Sequence, residues 1–247
     1  MNKKYAFILT VLLTGLIASN VFIFNYLSHM NIKETAVVSR VIDGDTLQLD
    51  DGRIIRLLNI NTPEKGFFGA ELAKNYLSNY ENKSIELEIT GTDKYLRNLG
   101  RIYSQKYLNL DIVEKGLASK FLVQDSELSD FAKVEEKAIK EGIGIWKHSE
   151  FFNCFNSVID EKKEIVEIIN ICPKINVEGW ILKDESRKSY KFKDTNLGKI
   201  RLHSEKGRDN ATDVFWGNTQ NIWNDDQDSL YLFDKKGGIV NYETYGY

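Results

Sequence analysis

The chain has 247 residues, 42% of them hydrophobic, and its formal net charge is −3. This length and hydrophobic content allow one sizeable core or two modest ones. The slightly acidic balance excludes a basic module that binds nucleic acid through phosphate neutralisation alone.

The N-terminal segment, residues 1–30, combines early positive charge with a long apolar stretch. Lys3 and Lys4 precede residues 5–27, which contain no charged side chain. A helix of that length reaches about 35 Å, enough to cross a bilayer core. We therefore expect an N-terminal transmembrane helix that anchors the protein in the membrane, with a cleaved signal peptide as the alternative. Because lysines favour the cytoplasmic side, the rest of the chain is expected to be extracytoplasmic, and secreted if the segment is cleaved.

Residues 33–148 combine short strands with helices. The best helical pattern covers residues 126–141, where apolar side chains recur on one face and Gly142 follows as a stop. The pattern predicts an α+β domain, a small barrel that carries helices. Strands are expected at residues 36–42, 46–49, 53–60, 84–90 and 99–103, and helices at 68–80, 110–115 and 126–141.

From residue 160 onward the pattern is strand and turn only. Apolar runs alternate with turn residues at the spacing of a β-sandwich. Residues 151–157 have the composition of a linker, so we place a domain boundary near residue 150. The sequence therefore predicts a second, all-β domain over residues 160–247.

The two cysteines, Cys154 and Cys172, have two interpretations. An exported body makes a disulfide between them plausible, and two unpaired thiols are the alternative. A zinc site is not expected, because two cysteines and three scattered histidines show no ligand spacing.

Charged and polar residues at strand ends of the first domain carry the chemistry. Taken singly, each has an ordinary explanation as a turn, a surface residue or a helix start. Together they match what phosphodiester hydrolysis requires. Asp45 and the Asn61–Thr62 segment offer oxygens to a hard divalent cation, and Glu64 lies beside them as a base for the attacking water. Two guanidiniums, those of Arg56 and Arg97, can bind the transition-state oxygens.

The order and spacing of these motifs resemble the micrococcal nuclease (thermonuclease) family over residues 35–147. The motifs are residues 41–47 (VIDGDTL), 56–64 (RLLNINTPE), 92–97 (TDKYLR), 116–118 (GLA) and 144–146 (GIW). The resemblance implies a five-stranded OB-fold barrel with three helices, and Ca²⁺-dependent cleavage of DNA and RNA that leaves 3′-phosphate ends.

The same resemblance implies a role for each site residue. Asp45 and the Thr62 carbonyl correspond to calcium ligands, Glu64 to the general base, and Arg56 and Arg97 to the phosphate-binding arginines. Lys94 and Tyr95 correspond to residues that contact a substrate phosphate.

Two departures from the family pattern stand out. Asn61 takes the place of a second metal-ligating aspartate; its amide oxygen can coordinate calcium but adds no charge, so we expect a higher calcium requirement. Leu122 and Gln124 stand where the family has a tyrosine pair, which predicts weaker base stacking or stacking supplied elsewhere.

The second domain resembles the lamin-tail domain, an immunoglobulin-like β-sandwich without an agreed catalytic role. Residues 177–184 (VEGWILKD) and 222–226 (IWNDD) carry this resemblance. Its expected role is to bind a cell-envelope component as a partner, to help present substrate, or to protect the nuclease from proteolysis. The tryptophans Trp180, Trp216 and Trp223 are expected to pack in the core. The acidic cluster Asp225, Asp226 and Asp228 is expected to be a solvated turn.

Three functions are therefore compared. A calcium-dependent nuclease accounts for the acidic and cationic residues of the first domain together. An OB-fold module that binds nucleic acid without cutting it is the alternative. A surface structural protein leaves those residues unexplained.

Overall fold

The computed structural model describes residues 3–28, 33–123, 126–193 and 198–247. The N-terminal segment forms the helix α1 (Lys3–Ser28). Among the residues whose side chains are described, no helix is both long enough and apolar enough to cross a bilayer. The described residues thus do not show the transmembrane helix that was expected over residues 1–30.

Residues 33–148, the barrel domain, form a closed barrel with helices packed against it. Strands β1, β2, β3, β5 and β6 are antiparallel neighbours along the sheet, and parallel pairing of β3 with β6 closes the barrel. The predicted five-stranded barrel with three helices is confirmed. Its elements are β1 (Lys33–Asp43), β2 (Thr46–Leu49), β3 (Ile54–Leu57), β4 (Ile60–Asn61), α2 (Ala70–Ser78), β5 (Ser84–Thr92), β6 (Asn98–Ser104), β7 (Lys106–Tyr107), α3 (Leu108–Glu114), β8 (Ser119–Lys120) and α4 (Leu128–Glu141).

The apolar periodicity of the sequence explains the barrel core. Leu47, Ile55, Leu87 and Ile102 project inward from four strands and are fully buried. Phe131 on the apolar face of α4 covers the same cluster. Burying such side chains contributes about 1.5–3 kcal/mol each, which holds the strand ends that carry the polar motifs in fixed positions.

Residues 155–247, the sandwich domain, form two four-stranded sheets around one core. The sheets have the strand orders β14-β13-β10-β9 and β12-β11-β15-β16. Buried apolar side chains from both sheets form a single cluster, so the sheets pack face to face. The strands are β9 (Phe155–Asp160), β10 (Ile165–Asn170), β11 (Ile181–Asp184), β12 (Ser189–Lys191), β13 (Lys199–His203), β14 (Asp213–Phe215), β15 (Asp228–Phe233) and β16 (Ile239–Tyr245).

Several expectations for this region can be compared with the structure. A disulfide joins Cys154 to Cys172, as one of the two interpretations predicted. Trp180 and Trp223 are buried in the core, and Trp216 is partly buried against it. Of the stretch expected to be a linker, residues 151–157, the last three residues belong to β9. The lamin-tail resemblance stays a prediction.

One member of the acidic cluster does not lie in a solvated turn. Asp225 and Asp226 are exposed, but Asp228 is fully buried at the start of β15. Its carboxylate accepts hydrogen bonds from the backbone N–H groups of Ser229 (2.7 Å) and Asn224 (3.1 Å). A buried acid must be hydrogen-bonded to persist, and sequence spacing alone did not reveal these partners.

The two domains share an apolar contact. Ala138, Ile139 and Trp146 of the barrel domain cluster with Tyr231 and Ile239 of the sandwich domain. The ring centroids of Trp146 and Tyr231 lie 5.0 Å apart. This packing holds the sandwich domain against the barrel domain.

A buried ion pair lies beside that contact. Lys120 is 1% exposed, and its Nζ donates to Glu135 Oε2 at 2.6 Å and to Ser229 Oγ at 2.7 Å. Tyr231 of the sandwich domain donates to the other oxygen of Glu135 at 2.9 Å. Both domains therefore contribute to one polar network.

Candidate active site at the junction of barrel and sandwich

A cavity of about 790 Å³ opens on the barrel surface next to the sandwich domain. All eight site residues named from the sequence line it, together with Arg187 of the sandwich domain. The eight are Asp45, Arg56, Asn61, Thr62, Glu64, Lys94, Tyr95 and Arg97. The fold therefore brings the scattered motifs together, while the role of each residue stays a prediction.

Asp45 is positioned by the turn between β1 and β2 and by the segment after β4. Its Oδ2 accepts hydrogen bonds from the backbone N–H and from the hydroxyl of Thr62, both at 2.9 Å. Gly44 is required in this turn, because a Cβ there would lie 2.5 Å from the Cβ of Ala73 and 2.8 Å from Thr62 Oγ1. The turn can therefore lie close to α2, and this position places Asp45 in the lining of the cavity.

Arg56 is a buried cation at the floor of the cavity. Its Nε lies 3.2 Å from Asp45 Oδ1, and its Nη2 donates to the Ile60 carbonyl and to Asn61 Oδ1, both at 2.7 Å. A further bond joins Nη1 to the Leu57 carbonyl. These partners hold the guanidinium in one orientation.

The charges in the cavity shift each other's pKa. Burial raises the pKa of Asp45, but the Arg56 guanidinium, the Thr62 N–H and the Arg187 guanidinium outweigh it and hold this pKa below its ordinary value. Burial, followed by the charge of Asp45, raises the pKa of Asp43. Asp45 is therefore ionised at neutral pH, as a cation ligand must be.

The remaining predicted residues lie at the cavity rim. The side chain of Glu64 is 63% exposed. Arg97 is held by Asp93, whose Oδ2 accepts from Arg97 Nε at 2.8 Å. Lys94 and the exposed ring of Tyr95 extend from the same loop, where Asp93 Oδ1 accepts from the Tyr95 N–H at 2.8 Å. The loop thus presents two cations and an aromatic ring to a ligand in the cavity.

Arg187 is a site residue that the sequence did not reveal. It lies in the loop between β11 and β12, and its Nη2 donates to Asn61 Oδ1 at 2.9 Å and to Asp45 Oδ2 at 3.1 Å. Its Nη1 donates to Glu64 Oε1. An arginine in a hairpin loop carries no sequence signal for this role, because only the docking of the two domains brings it here.

The oxygen donors of the site fit a hard cation. Asp45 Oδ2, Asn61 Oδ1 and the Thr62 carbonyl belong to one carboxylate and two neutral groups, the donor types that calcium prefers. The Arg187 guanidinium shows that the first two oxygens, with Glu64, attract a positive charge. Within the described residues, His, Cys, Asp and Glu side chains form no metal-binding group of three or more.

A second cavity, of about 420 Å³, lies between the two domains and shares Asn61, Glu64 and Arg187 with the first. The exposed rings of Phe67 and Phe68 lie at its edge. Leu122, which takes a family tyrosine position, lines the first cavity; Gln124, the other such position, lies outside the described residues.

Comparison with known proteins agrees with this geometry. A family model described as staphylococcal nuclease homologue matches residues 54–148. An uncharacterized endonuclease of Haemophilus influenzae is 35% identical over 138 residues, which cover 53% of this chain and 77% of the relative. The thermonuclease of Staphylococcus intermedius is 29% identical over 130 residues, which cover 46% of this chain and 77% of the relative. The staphylococcal-like nuclease CAN1 of Arabidopsis thaliana is 31% identical over 97 residues, which cover 38% of this chain and 30% of the relative. The chain therefore belongs to the staphylococcal nuclease homologue family.

Proposed function

We propose that this protein is a calcium-dependent nuclease that hydrolyses phosphodiester bonds of DNA, RNA or both and leaves 3′-phosphate ends. One observation carries the proposal. A carboxylate base candidate, two phosphate-binding arginines and the oxygens for a cation line the same cavity. The names of the related endonuclease and thermonuclease support the same reaction class.

The two arginines bind and polarise the phosphate. Arginine stays protonated at any physiological pH, and its planar fork matches phosphate oxygens bidentately. Arg56 is immobilised by Asp45 and backbone carbonyls, and Arg97 by Asp93. Donors fixed in this way stabilise the negative charge that develops on the phosphoryl oxygens without reorganising during the reaction.

Glu64 takes the proton of the attacking water. Its carboxylate is exposed at the rim, where water reaches it. In the described arrangement it accepts a hydrogen bond from Arg187, so this contact must be released before Glu64 can act as a base.

Asp45, Asn61 and the Thr62 carbonyl would hold the calcium ion. When bound, the ion supplies positive charge beside the phosphate and lowers the pKa of the attacking water. Because Asn61 adds no negative charge, the calcium requirement is expected to exceed that of a site with two aspartates.

We also propose that the protein acts outside the cytoplasm. The disulfide between Cys154 and Cys172 supports this location, because disulfides persist in oxidising compartments and are rare in the cytosol.

A nucleic-acid-binding module without cleavage is the second candidate. The contact between Arg187 and Glu64 favours this second candidate, because the hydrogen bond occupies the carboxylate of the candidate base. Cleavage assays separate the two candidates.

The test uses the full chain with single-stranded DNA, duplex DNA and RNA, in calcium or in a chelator. The proposal expects calcium-dependent cleavage that Glu64→Gln abolishes. Glu71→Gln is the matched control, because Glu71 is an exposed residue of α2 outside the cavity lining. Binding without cleavage by the unmodified protein would favour the second candidate.

A further inference from the structure

The loop that carries Arg187 has a defined conformation, held by hydrogen bonds within the sandwich domain and to the barrel domain. Asp184 Oδ1 accepts a hydrogen bond from the Lys188 N–H at 2.6 Å, which closes the loop. Arg187 itself has a φ of 74°, in the left-handed region that few non-glycine residues adopt. Glu185 is buried, and its Oε1 accepts from the Leu122 N–H of the barrel domain at 3.2 Å. The loop is thus fixed to the barrel beside the cavity.

The side-chain amide of Asn61 forms hydrogen bonds with this loop through both its nitrogen and its oxygen. Its Nδ2 donates to the backbone carbonyl of Glu185 at 3.0 Å. Its Oδ1 accepts from Arg56 Nη2 at 2.7 Å and from Arg187 Nη2 at 2.9 Å. An aspartate at position 61 would direct a carboxylate oxygen at the Glu185 carbonyl, where two acceptors repel. Asn61 and the Arg187 loop therefore form one complementary arrangement.

Arg187 and a divalent cation need the same oxygens. Calcium lies about 2.3–2.6 Å from its ligands. An ion at that distance from Asp45 Oδ2 and Asn61 Oδ1 would share both oxygens with Arg187 Nη2. Like charges held by the same oxygens in a partly buried cavity repel strongly.

We propose that Arg187 competes with the divalent cation for Asp45, Asn61 and Glu64, so that the sandwich domain sets the metal concentration at which the site fills. This inference rests on the proposed calcium-dependent function. It gives the sandwich domain a direct part in the active site. The amide at position 61 fits this arrangement, because its nitrogen donates to the Glu185 carbonyl of the loop that carries Arg187.

A direct role of Arg187 in binding the substrate phosphate is the competing explanation. The two explanations differ in the absence of substrate. Competition changes metal affinity of the free protein, whereas phosphate binding changes only the affinity for nucleic acid. Metal affinity is therefore the readout, and it does not depend on activity.

The experiment measures binding of Ca²⁺ by calorimetry and of Tb³⁺ by sensitised luminescence to the full chain without substrate. The variants are Arg187→Ala and Arg187→Gln, the second of which keeps a polar side chain without the positive charge. Arg208→Ala is the matched control, because Arg208 is an exposed arginine of the same domain outside the cavity lining. Circular dichroism and thermal unfolding establish that each variant is folded.

Competition predicts that both Arg187 variants bind metal about tenfold more tightly or better, the factor of a single modest interaction, and that Arg208→Ala does not. Measurable metal binding by the Arg187 variants, with none by the unmodified protein, would also support competition. If the unmodified protein and both variants bind calcium with the same affinity, the competition is refuted while the proposed function stands. If none of them binds calcium or terbium, both the competition and the calcium dependence of the proposed function fail.

Discussion

The side-chain amide of Asn61 donates to the backbone carbonyl of Glu185 at 3.0 Å, across the junction of the two domains. The side chain of residue 61 therefore has two roles. Its oxygen lies at the cavity, and its nitrogen forms a hydrogen bond between the barrel domain and the sandwich domain. An aspartate at this position could offer an oxygen to the cavity, but it has no N–H group to donate to the Glu185 carbonyl.

Asn61→Asp should therefore raise calcium affinity and lower stability at the same time. The added charge favours the metal, while the lost donor and the repulsion from the Glu185 carbonyl cost about 1–3 kcal/mol of the free energy of unfolding. Calorimetric calcium titration and denaturant unfolding measure the two effects. Asn75→Asp, on the exposed face of α2, is the control, and unchanged values for both properties in Asn61→Asp would refute the prediction.

Glu185 should make stability depend on pH. Burial raises its pKa from 4.5 to about 7. The folded protein holds this proton more tightly than the unfolded chain, so the stabilisation is fully present below pH 4.5 and is lost as the pH rises towards 7. Asp228, whose pKa burial raises to about 6, acts in the same direction.

Glu185→Gln is expected to flatten this dependence. Between pH 4.5 and 7, the free energy of unfolding of the unmodified protein should fall by on the order of a few kcal/mol relative to that of the variant. Denaturant unfolding across this range measures the difference. Glu178→Gln, at an exposed position, should keep the original pH profile; an identical profile for Glu185→Gln would contradict the assignment.

The buried ion pair of Lys120 and Glu135 should be costly to break on one side only. Lys120→Met leaves Glu135 as an uncompensated buried charge, and we expect a loss of about 3–5 kcal/mol in the free energy of unfolding. The double variant Lys120→Met/Glu135→Gln removes that charge yet keeps an acceptor for Tyr231. It should recover a substantial part of the loss, and a double variant no more stable than the single one would argue against this account.

The rings of Phe67 and Phe68 should contribute to binding of single strands. They are exposed beside the cavity, and Leu122 provides no aromatic surface at the family tyrosine position. Base stacking on an aromatic side chain contributes about 1–3 kcal/mol. Phe67→Ala/Phe68→Ala should therefore raise the Kd for single-stranded DNA in calcium-free buffer, as measured by fluorescence anisotropy. Leu72→Ala, an exposed apolar residue of α2, is the control, and an unchanged Kd in the double variant would exclude stacking here.

The barrel and its eight cavity residues were predictable because their signals are local. Alternating apolar residues define the strands, and the polar motifs follow directly at the strand ends. One predicted strand was too long. The run predicted at residues 53–60 divides into β3 and β4, because Asn59 between them adopts a positive φ of 68°. Asn61 follows this break and lines the cavity.

What the sequence did not reveal depends on contacts between distant residues. Arg187 lies 123 positions beyond Glu64 in the chain, and only domain docking brings them together. Asp228 was predicted to lie in a solvated turn, because one of its partners, the Glu185 N–H, comes from 43 positions earlier in the chain. Patterns of burial along one strand cannot identify a partner supplied by another domain.

The cleavage rate of Arg97→Ala tests the central claim most directly. Arg97 lies at the cavity rim and is held by Asp93, so its removal should leave the barrel folded. With the full chain, saturating calcium and single-stranded DNA, the account predicts a fall in kcat of about a hundredfold or more, with Arg40→Ala, an exposed arginine of β1, close to the unmodified protein. Cleavage by Arg97→Ala at the unmodified rate would place the chemistry elsewhere and contradict the account.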